Sequence, residues 1–135
     1  MLTPAVREQL IEYAVQARQR AYAPYSGFLV GAALATRAGG LFSGCNVENA
    51  SYGLTVCAER TAAFQAVATG QRDWLAVAVA AEGGAMPCGA CRQVLREFAD
   101  DLIVLIVDTN KLSQVAEYRL ADLLPHSFQF HRTSP

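Results

Sequence analysis

No surplus of basic residues marks this chain. Eleven Lys and Arg stand against twelve Asp and Glu, for a net charge of −1 with histidine neutral, and the sequence pI is about 6.1. A polynucleotide binder carries a Lys- and Arg-rich face that neutralises phosphates. That class is disfavoured, no nucleic-acid partner is expected, and a small or neutral ligand fits better. No apolar run approaches the ~18 residues of a membrane-spanning helix. The opening Met1-Leu2-Thr3-Pro4 has neither the basic nor the apolar region of a secretory leader. No internal repeat, linker or low-complexity segment interrupts the chain, so residues 1–135 read as one domain. The two histidines, His126 and His131, fall in the C-terminal stretch without ligand spacing, and neither is expected to bind metal.

What the chain does have is apolar side chains and cysteine. Hydrophobic residues make up 53% and charged residues 17%. For so short a chain this predicts apolar surface buried between subunits. Four cysteines without an export leader point to a reducing compartment, the cytoplasm, where thiols bind metal or stay free.

Periodicity orders the elements. Thr3 suits an N-cap and Pro4 a first helical position. Val6, Leu10, Ala14, Ala17 and Ala21 recur at helical spacing, which predicts a helix over 4–21. Tyr22 to Gly27 breaks it. Strands are expected at 28–35 and 41–44, joined by the turn Ala38-Gly39-Gly40. The segment 45–55 is polar and irregular, as binding loops on rigid scaffolds often are. A helix over 57–68, a strand at 74–80, a helix over 88–99 and a strand at 102–107 follow. Both of these strands are continuously apolar, as in a sheet covered on two faces. A weak strand, a short helix ending at Pro125 and a tail complete an α/β layered domain.

The chemistry lies in two short runs. Cys57-Ala58-Glu59-Arg60 opens one helix, and Pro87-Cys88-Gly89-Ala90-Cys91-Arg92-Gln93 opens another. Cys88 and Cys91 are spaced to share a helix face. A helix start carries free N–H groups and partial positive charge, which favour thiolate over thiol. Three thiolates suit one zinc, and three protein ligands leave a fourth position for water, as in catalytic rather than structural sites. Glu59, two residues beyond the first ligand, is placed for proton transfer. Zinc with three thiolates carries excess negative charge, which weakens its action on water. Arg60 and Arg92, each adjacent to a site residue, are candidates to offset it through N–H···S bonds. Cys45 is left over and is expected to be a buried free thiol.

These runs match the general pattern of zinc deaminases, in which a non-ligand Glu acts as general acid and base. More closely, the chain resembles the short, homotetrameric cytidine deaminases. The resemblance rests on Ala21 to Phe28, Val30 to Leu34, Gly44 to Ala50, Cys57 to Thr61, Pro87 to Gln93, and Leu123-Leu124-Pro125 with Phe128. It implies a three-layer α/β/α sandwich on a mixed five-stranded sheet, and one zinc per subunit on Cys57, Cys88 and Cys91. It implies hydrolytic deamination of cytidine and 2′-deoxycytidine, with Glu59 shuttling protons. It further implies that Asn46 and Glu48 bond the ribose 3′-hydroxyl, that Phe28 packs on the pyrimidine, and that the Ala58 N–H meets the base carbonyl. Ala50 and Tyr52 would reach the 5′-hydroxyl and Phe128 would cap the base, with some of these groups supplied by a neighbouring subunit. Gly27, Leu29-Val30, Ser51 and Gly53 depart from the usual pattern without touching a metal ligand. Competing readings are deamination of a cytosine-containing antibiotic nucleoside such as blasticidin S, editing of a single-stranded polynucleotide, and a zinc-stabilised binding module without catalysis.

Overall fold

The computed structural model describes residues 1–130; His131, expected not to bind metal, lies outside them. The elements are α1 (Pro4–Arg18), β1 (Val30–Thr36), β2 (Leu41–Cys45), a 3₁₀ turn (Tyr52–Leu54), α2 (Ala58–Ala68), β3 (Trp74–Ala81), α3 (Gly89–Phe98), β4 (Ile103–Asp108), β5 (Val115–Arg119) and α4 (Leu120–Leu123). The five strands form one mixed sheet in the order β2-β1-β3-β4-β5. Only β3 and β4 run parallel; the β1–β2, β1–β3 and β4–β5 pairs are antiparallel.

Strand alternation divides the core into two layers. Ala33, Ala35, Ala76, Ala78, Ala80, Leu105 and Val107 face α1, packing with Leu10 and Ala14. Ala32, Leu34, Val77, Val79, Val104 and Ile106 face the opposite way, against Ala58, Ala62, Ala63 and Ala66 of α2 and Leu95 of α3. This is an α/β fold with helices on both faces, as the continuous apolar strands require. Small residues let the layers approach closely. A Cβ at Gly31 would lie 2.0 Å from the Ala14 carbonyl oxygen of α1, and one at Gly44 would lie 2.4 Å from the Ala62 nitrogen of α2.

Sheet polarity then places the site. β2 and β3 flank β1 and both oppose it in direction, so they point the same way. Cys45 and Ala80 both pair with Gly31, which puts the carboxyl ends of β2 and β3 level. The chain leaves those two ends for α2 and α3, so both helices begin off one edge of the sheet. Crevices at the carboxyl ends of strands are where open α/β sheets hold ligands.

Two boundaries and the burial of one cysteine differ from the sequence reading. The first helix stops at Arg18 rather than 21, because the next residues are drawn into pairing with the loop after β2. Tyr22 N–H bonds the Asn46 carbonyl at 2.9 Å and Glu48 N–H bonds the Tyr22 carbonyl at 2.8 Å. The first strand starts at Val30 rather than 28. The carbonyls of Phe28 and Leu29 are taken by the side chains of Asn46 and Arg18, at 2.8 and 2.9 Å, instead of by a neighbouring strand. Cys45 is a free thiol, but half-buried rather than buried, since β2 is an edge strand. Its Sγ lies 3.5 Å from the Arg20 carbonyl oxygen.

Candidate active site

Cys57 is the N-cap residue of α2 and Cys88 that of α3. Cys91 follows within the first turn of α3 and is fully buried. The Cys57 and Cys88 sulfurs lie 3.7 Å apart and those of Cys88 and Cys91 3.6 Å apart. All three Sγ atoms fall within 4.8 Å of one another. Tetrahedral zinc with Zn–S bonds of about 2.3 Å spaces its sulfurs about 3.8 Å apart, whereas a disulfide would need about 2.05 Å. The donor set is therefore sized for a metal ion. Among the described residues neither Cys45 nor His126 joins the group, so no fourth protein ligand completes a closed structural site.

The thiols are coupled. The Cys57 thiol falls to about 5, chiefly because Cys91 donates a hydrogen bond to its thiolate, with Arg60 and Cys88 adding to the effect against burial. The Cys91 thiol is driven far upward, first by that same shared hydrogen bond and then by burial. The two sulfurs thus differ in their hold on a proton, and a cation bound there would favour thiolate at both. The Arg60 Nη2 donates to Cys57 Sγ at 3.5 Å, and this bond raises the arginine further. Its Nε is buried without a partner. Arg92 turns elsewhere: its Nε donates to the Pro87 carbonyl and its Nη1 to the Leu123 carbonyl, each at 2.8 Å.

Glu59 is 4% exposed. Burial pushes its carboxyl up to about 7, reinforced by the Cys57 charge and opposed by its own backbone N–H, a bond to Cys91 and Arg60. A carboxyl whose value lies near neutrality, beside three sulfurs, has the property required of a group that both takes and gives a proton. Ala58, the first residue of α2, is buried, and its N–H belongs to the set without an intrahelical acceptor.

The loop residues assemble beside this cluster. Val47 and Val56 exchange backbone bonds at 2.9 and 3.0 Å, which sets Asn46 and Glu48 opposite the residues entering Cys57. Asn46 is buried; its Oδ1 accepts from Val30 N–H at 2.9 Å and its Nδ2 donates to the Phe28 carbonyl at 2.8 Å. Glu48 Oε1 accepts from the N–H groups of Tyr25 and Ser26 at 2.9 and 3.1 Å, and Oε2 accepts from the Ser26 hydroxyl. These bonds, the Ser26 hydroxyl first, hold the Glu48 carboxyl below its usual range. Glu48, Ala50 and Tyr52 share one cavity wall with Tyr25, Ser26, Asn49 and Thr55. Tyr52 and Phe128 are 88% and 71% exposed, and Phe28 is 44% exposed. Phe128 is linked to the cysteine pair through Gln93, whose Nε2 donates to the Phe128 carbonyl at 3.2 Å. A groove of about 720 Å³ between α1 and the β4–β5 connection contains none of these residues.

Three contributors were not singled out from the sequence. Thr61 Oγ1 bonds the carbonyls of Cys45 and Ala58, both at 2.9 Å, and so ties the start of α2 to the end of β2. A hydroxyl one turn after a ligand is a signal that could have been read. Ser26, read only as part of a break, orders the Glu48 carboxylate. Gln93 reaches across 35 residues of sequence, and local pattern carries no sign of that.

The sequence matches the family described as the cytidine and deoxycytidylate deaminase zinc-binding region over residues 4–107. It is similar to a cytidine deaminase of Sporosarcina psychrophila, 48% identical over 123 residues that cover 90% of each chain. It is also similar to one of Halalkalibacterium halodurans, 49% identical over 126 residues, covering 90% of this chain and 93% of that one. Its fold is similar to the crystal structure of cytidine deaminase from Burkholderia pseudomallei, with a TM-score of 0.85, 52% identity, and coverage of 90% of this chain and 98% of that one.

Cys88→Ala removes the sulfur that bridges the other two, so bound zinc should fall by at least roughly tenfold while far-ultraviolet dichroism is kept. Metal analysis of the purified variant checks this, and full zinc content would contradict the ligand assignment. The lowered Glu48 carboxyl favours the folded loop above its ordinary value of 4.5. That contribution is lost as pH falls below 4.5 and through the lower folded value. Backbone amide protection at Tyr25 and Ser26 should therefore decline in acid, and should already be low at neutral pH in Glu48→Ala. Unchanged protection at pH 3 would show that the carboxylate does not hold the loop.

Proposed function

This chain belongs to the cytidine and deoxycytidylate deaminase zinc-binding family, and from that premise we propose that it hydrolyses cytidine and 2′-deoxycytidine to the uridines with release of ammonia. The observation that carries the reading is a buried carboxyl, Glu59, held near neutrality against three sulfurs spaced for one zinc. The high identity to cytidine deaminases over nine-tenths of the chain favours plain nucleosides over an antibiotic nucleoside.

Cys57, Cys88 and Cys91 would hold the metal. When bound, zinc supplies Lewis-acid activation that brings the pKa of water toward neutrality. Glu59 takes a proton from the attacking water and passes it to N3 of the cytosine ring, which makes C4 electrophilic. After attack, the same carboxyl takes the proton of the new C4 hydroxyl and delivers it to the amino group, which departs as ammonia as the C4 carbonyl forms. One group serving as base and then acid works best with a value near the operating pH. Arg60 offsets thiolate charge at Cys57. The Ala58 N–H meets the base carbonyl, and Phe28 packs on the ring. Asn46 and Glu48 take the ribose 3′-hydroxyl, Ala50 and Tyr52 the 5′-hydroxyl, and Phe128 caps the base.

The cavity by Glu48 favours a nucleoside over a nucleotide. Among the described residues its walls carry no lysine or arginine, and a 5′-phosphate there would face the Glu48 carboxylate. A polynucleotide would need a basic channel, which the weakly acidic composition does not supply.

The exposed rings of Tyr25, Phe28, Tyr52, Phe64 and Phe128, with Leu54, support assembly into a homotetramer with sites at subunit interfaces. The single domain is proposed to act in the cytoplasm. No helix among the described residues is long and apolar enough to cross a membrane, and the four cysteines are free, which suits a reducing compartment.

The decisive assay follows the ultraviolet change of cytosine to uracil, with and without a zinc chelator. Cytidine should be turned over and the chelator should stop it; an inert zinc-loaded protein would overturn the reading. Glu59→Gln should keep its zinc and lose at least roughly a hundredfold in kcat. Near wild-type rates would remove Glu59 from the mechanism. Sedimentation equilibrium should give four times the 14.5 kDa chain, and a monomer that is fully active would exclude interfacial sites.

A further inference from the structure

We propose that Arg92 and Gln93 are positioning residues that fasten the C-terminal segment, and with it Phe128, to the cysteine pair of α3. The inference rests on the nucleoside site proposed above.

The segment after α4 has little structure of its own. Among the described residues, its backbone makes one bond back to α4, from Leu124 N–H to the Leu120 carbonyl at 2.9 Å. Pro125 then offers no N–H. His126 has a φ of 52°, a left-handed conformation that costs a residue with a Cβ and persists where surrounding contacts enforce it. Bonds from α3 hold the chain on either side of it. Arg92 Nη1 donates to the Leu123 carbonyl at 2.8 Å, a group at the end of α4 that has no intrahelical donor. Gln93 Nε2 donates to the Phe128 carbonyl at 3.2 Å. The two residues follow Cys91 directly, so the segment is pinned at its start and near its end by neighbours of a metal ligand.

Arg92 also reaches the other way. Its Nε donates to the Pro87 carbonyl at 2.8 Å, the peptide group that leads into Cys88. One guanidinium therefore joins the cysteine loop to the end of α4. Both acceptors are carbonyls, and both bonds use separate N–H groups of a rigid planar fork. A lysine carries the same charge on a single point and cannot span both acceptors. This separates a positioning role from the offsetting of thiolate charge. Phe128 completes the argument. Its ring is 71% exposed, so burial does not fix it. Gln93 grips its backbone and leaves the ring free.

The test compares Gln93→Ala, Phe128→Ala, the double variant and Arg92→Lys with the zinc-loaded wild type. Steady-state kinetics with cytidine, zinc content, and amide exchange over residues 123–130 are measured for each. Gln93→Ala and Phe128→Ala should each raise KM roughly fivefold, leave kcat within about twofold and keep zinc. The double variant should be no worse than Phe128→Ala alone, since both changes remove one function. Exchange over 123–128 should quicken by roughly tenfold in Gln93→Ala and in Arg92→Lys. KM effects that multiply, exchange that stays at the wild-type rate, or an Arg92→Lys variant that matches wild type would each overturn the proposal. Exchange needs no turnover, so a wild-type protein inert toward cytidine would defeat the functional reading while the fastening of the segment is still decided.

Discussion

Three sulfurs within 4.8 Å of one another, with Cys88 3.7 Å from Cys57 and 3.6 Å from Cys91, at the meeting point of two helix starts are the constraint on which the rest turns. These distances are too long for a covalent bond and too short for three unshared thiolates. The protein eases this by turning Arg60 toward Cys57, whose Sγ accepts from Nη2. A divalent cation resolves it more fully, because it supplies positive charge at the point where the three sulfur atoms converge. Convergence itself is a property of the sheet. β2 and β3 must run in the same sense on either side of β1, and α2 must lie close enough to β2 for Thr61 to reach the Cys45 carbonyl. Gly44 permits that approach, since a Cβ there would meet Thr61 Oγ1 at 2.2 Å. The lack of a side chain at Gly44 thus bears on where Cys57 sits.

The parts that were legible in the sequence are those with a local signature. Apolar runs at 74–80 and 102–107 read as buried strands because a sheet covered on both faces needs no alternation, and β3 and β4 stand there. The helix starts were legible through the placement of Cys57, Cys88 and Cys91, which suited both thiolate formation and zinc spacing. What was not legible arises from bonds between distant segments. The end of α1 is set by Asn46 and Glu48, which draw Tyr22 into a bridge, and helical periodicity at Ala21 loses to that pairing. The start of β1 is set by Asn46 and Arg18 capturing carbonyls. Arg92 was read as a counter-charge because it adjoins Cys91, yet its guanidinium bonds two backbone carbonyls, one of them 31 residues away. Cys45 was expected to be buried, but sequence does not disclose which strand lies at an edge.

Asn46 and Glu48 show how one side chain can build a site and still have capacity to bind. Asn46 spends Oδ1 and one N–H on the start of β1, and its amide has a second N–H. Glu48 spends Oε1 on two backbone groups and Oε2 on one hydroxyl, and a carboxylate offers about four acceptor positions. The groups assigned to the sugar are therefore already fixed by the fold. A hydroxyl arriving there would meet a carboxylate and an amide whose rotamers need no further ordering, which removes part of the entropic cost of binding.

The aromatic residues proposed to meet the ligand obey a different rule from these polar groups. Tyr52, Phe28 and Phe128 present open ring faces, and packing within the chain does not lock them. Rigid polar groups with loose aromatic rings would hold a sugar well and a base poorly, because stacking requires the ring to wait in place. Two devices can supply what the chain alone does not. The neighbouring subunits of the proposed tetramer would bury the outer faces of these rings, and the bonds from Arg92 and Gln93 restrain the backbone that carries Phe128. Both devices would act on the base end of the ligand, where the proposed mechanism brings Glu59 within hydrogen-bond reach of N3 and the amino group. Control of ring position at that end therefore bears on the affinity for the base, as the fixed polar groups bear on the affinity for the sugar.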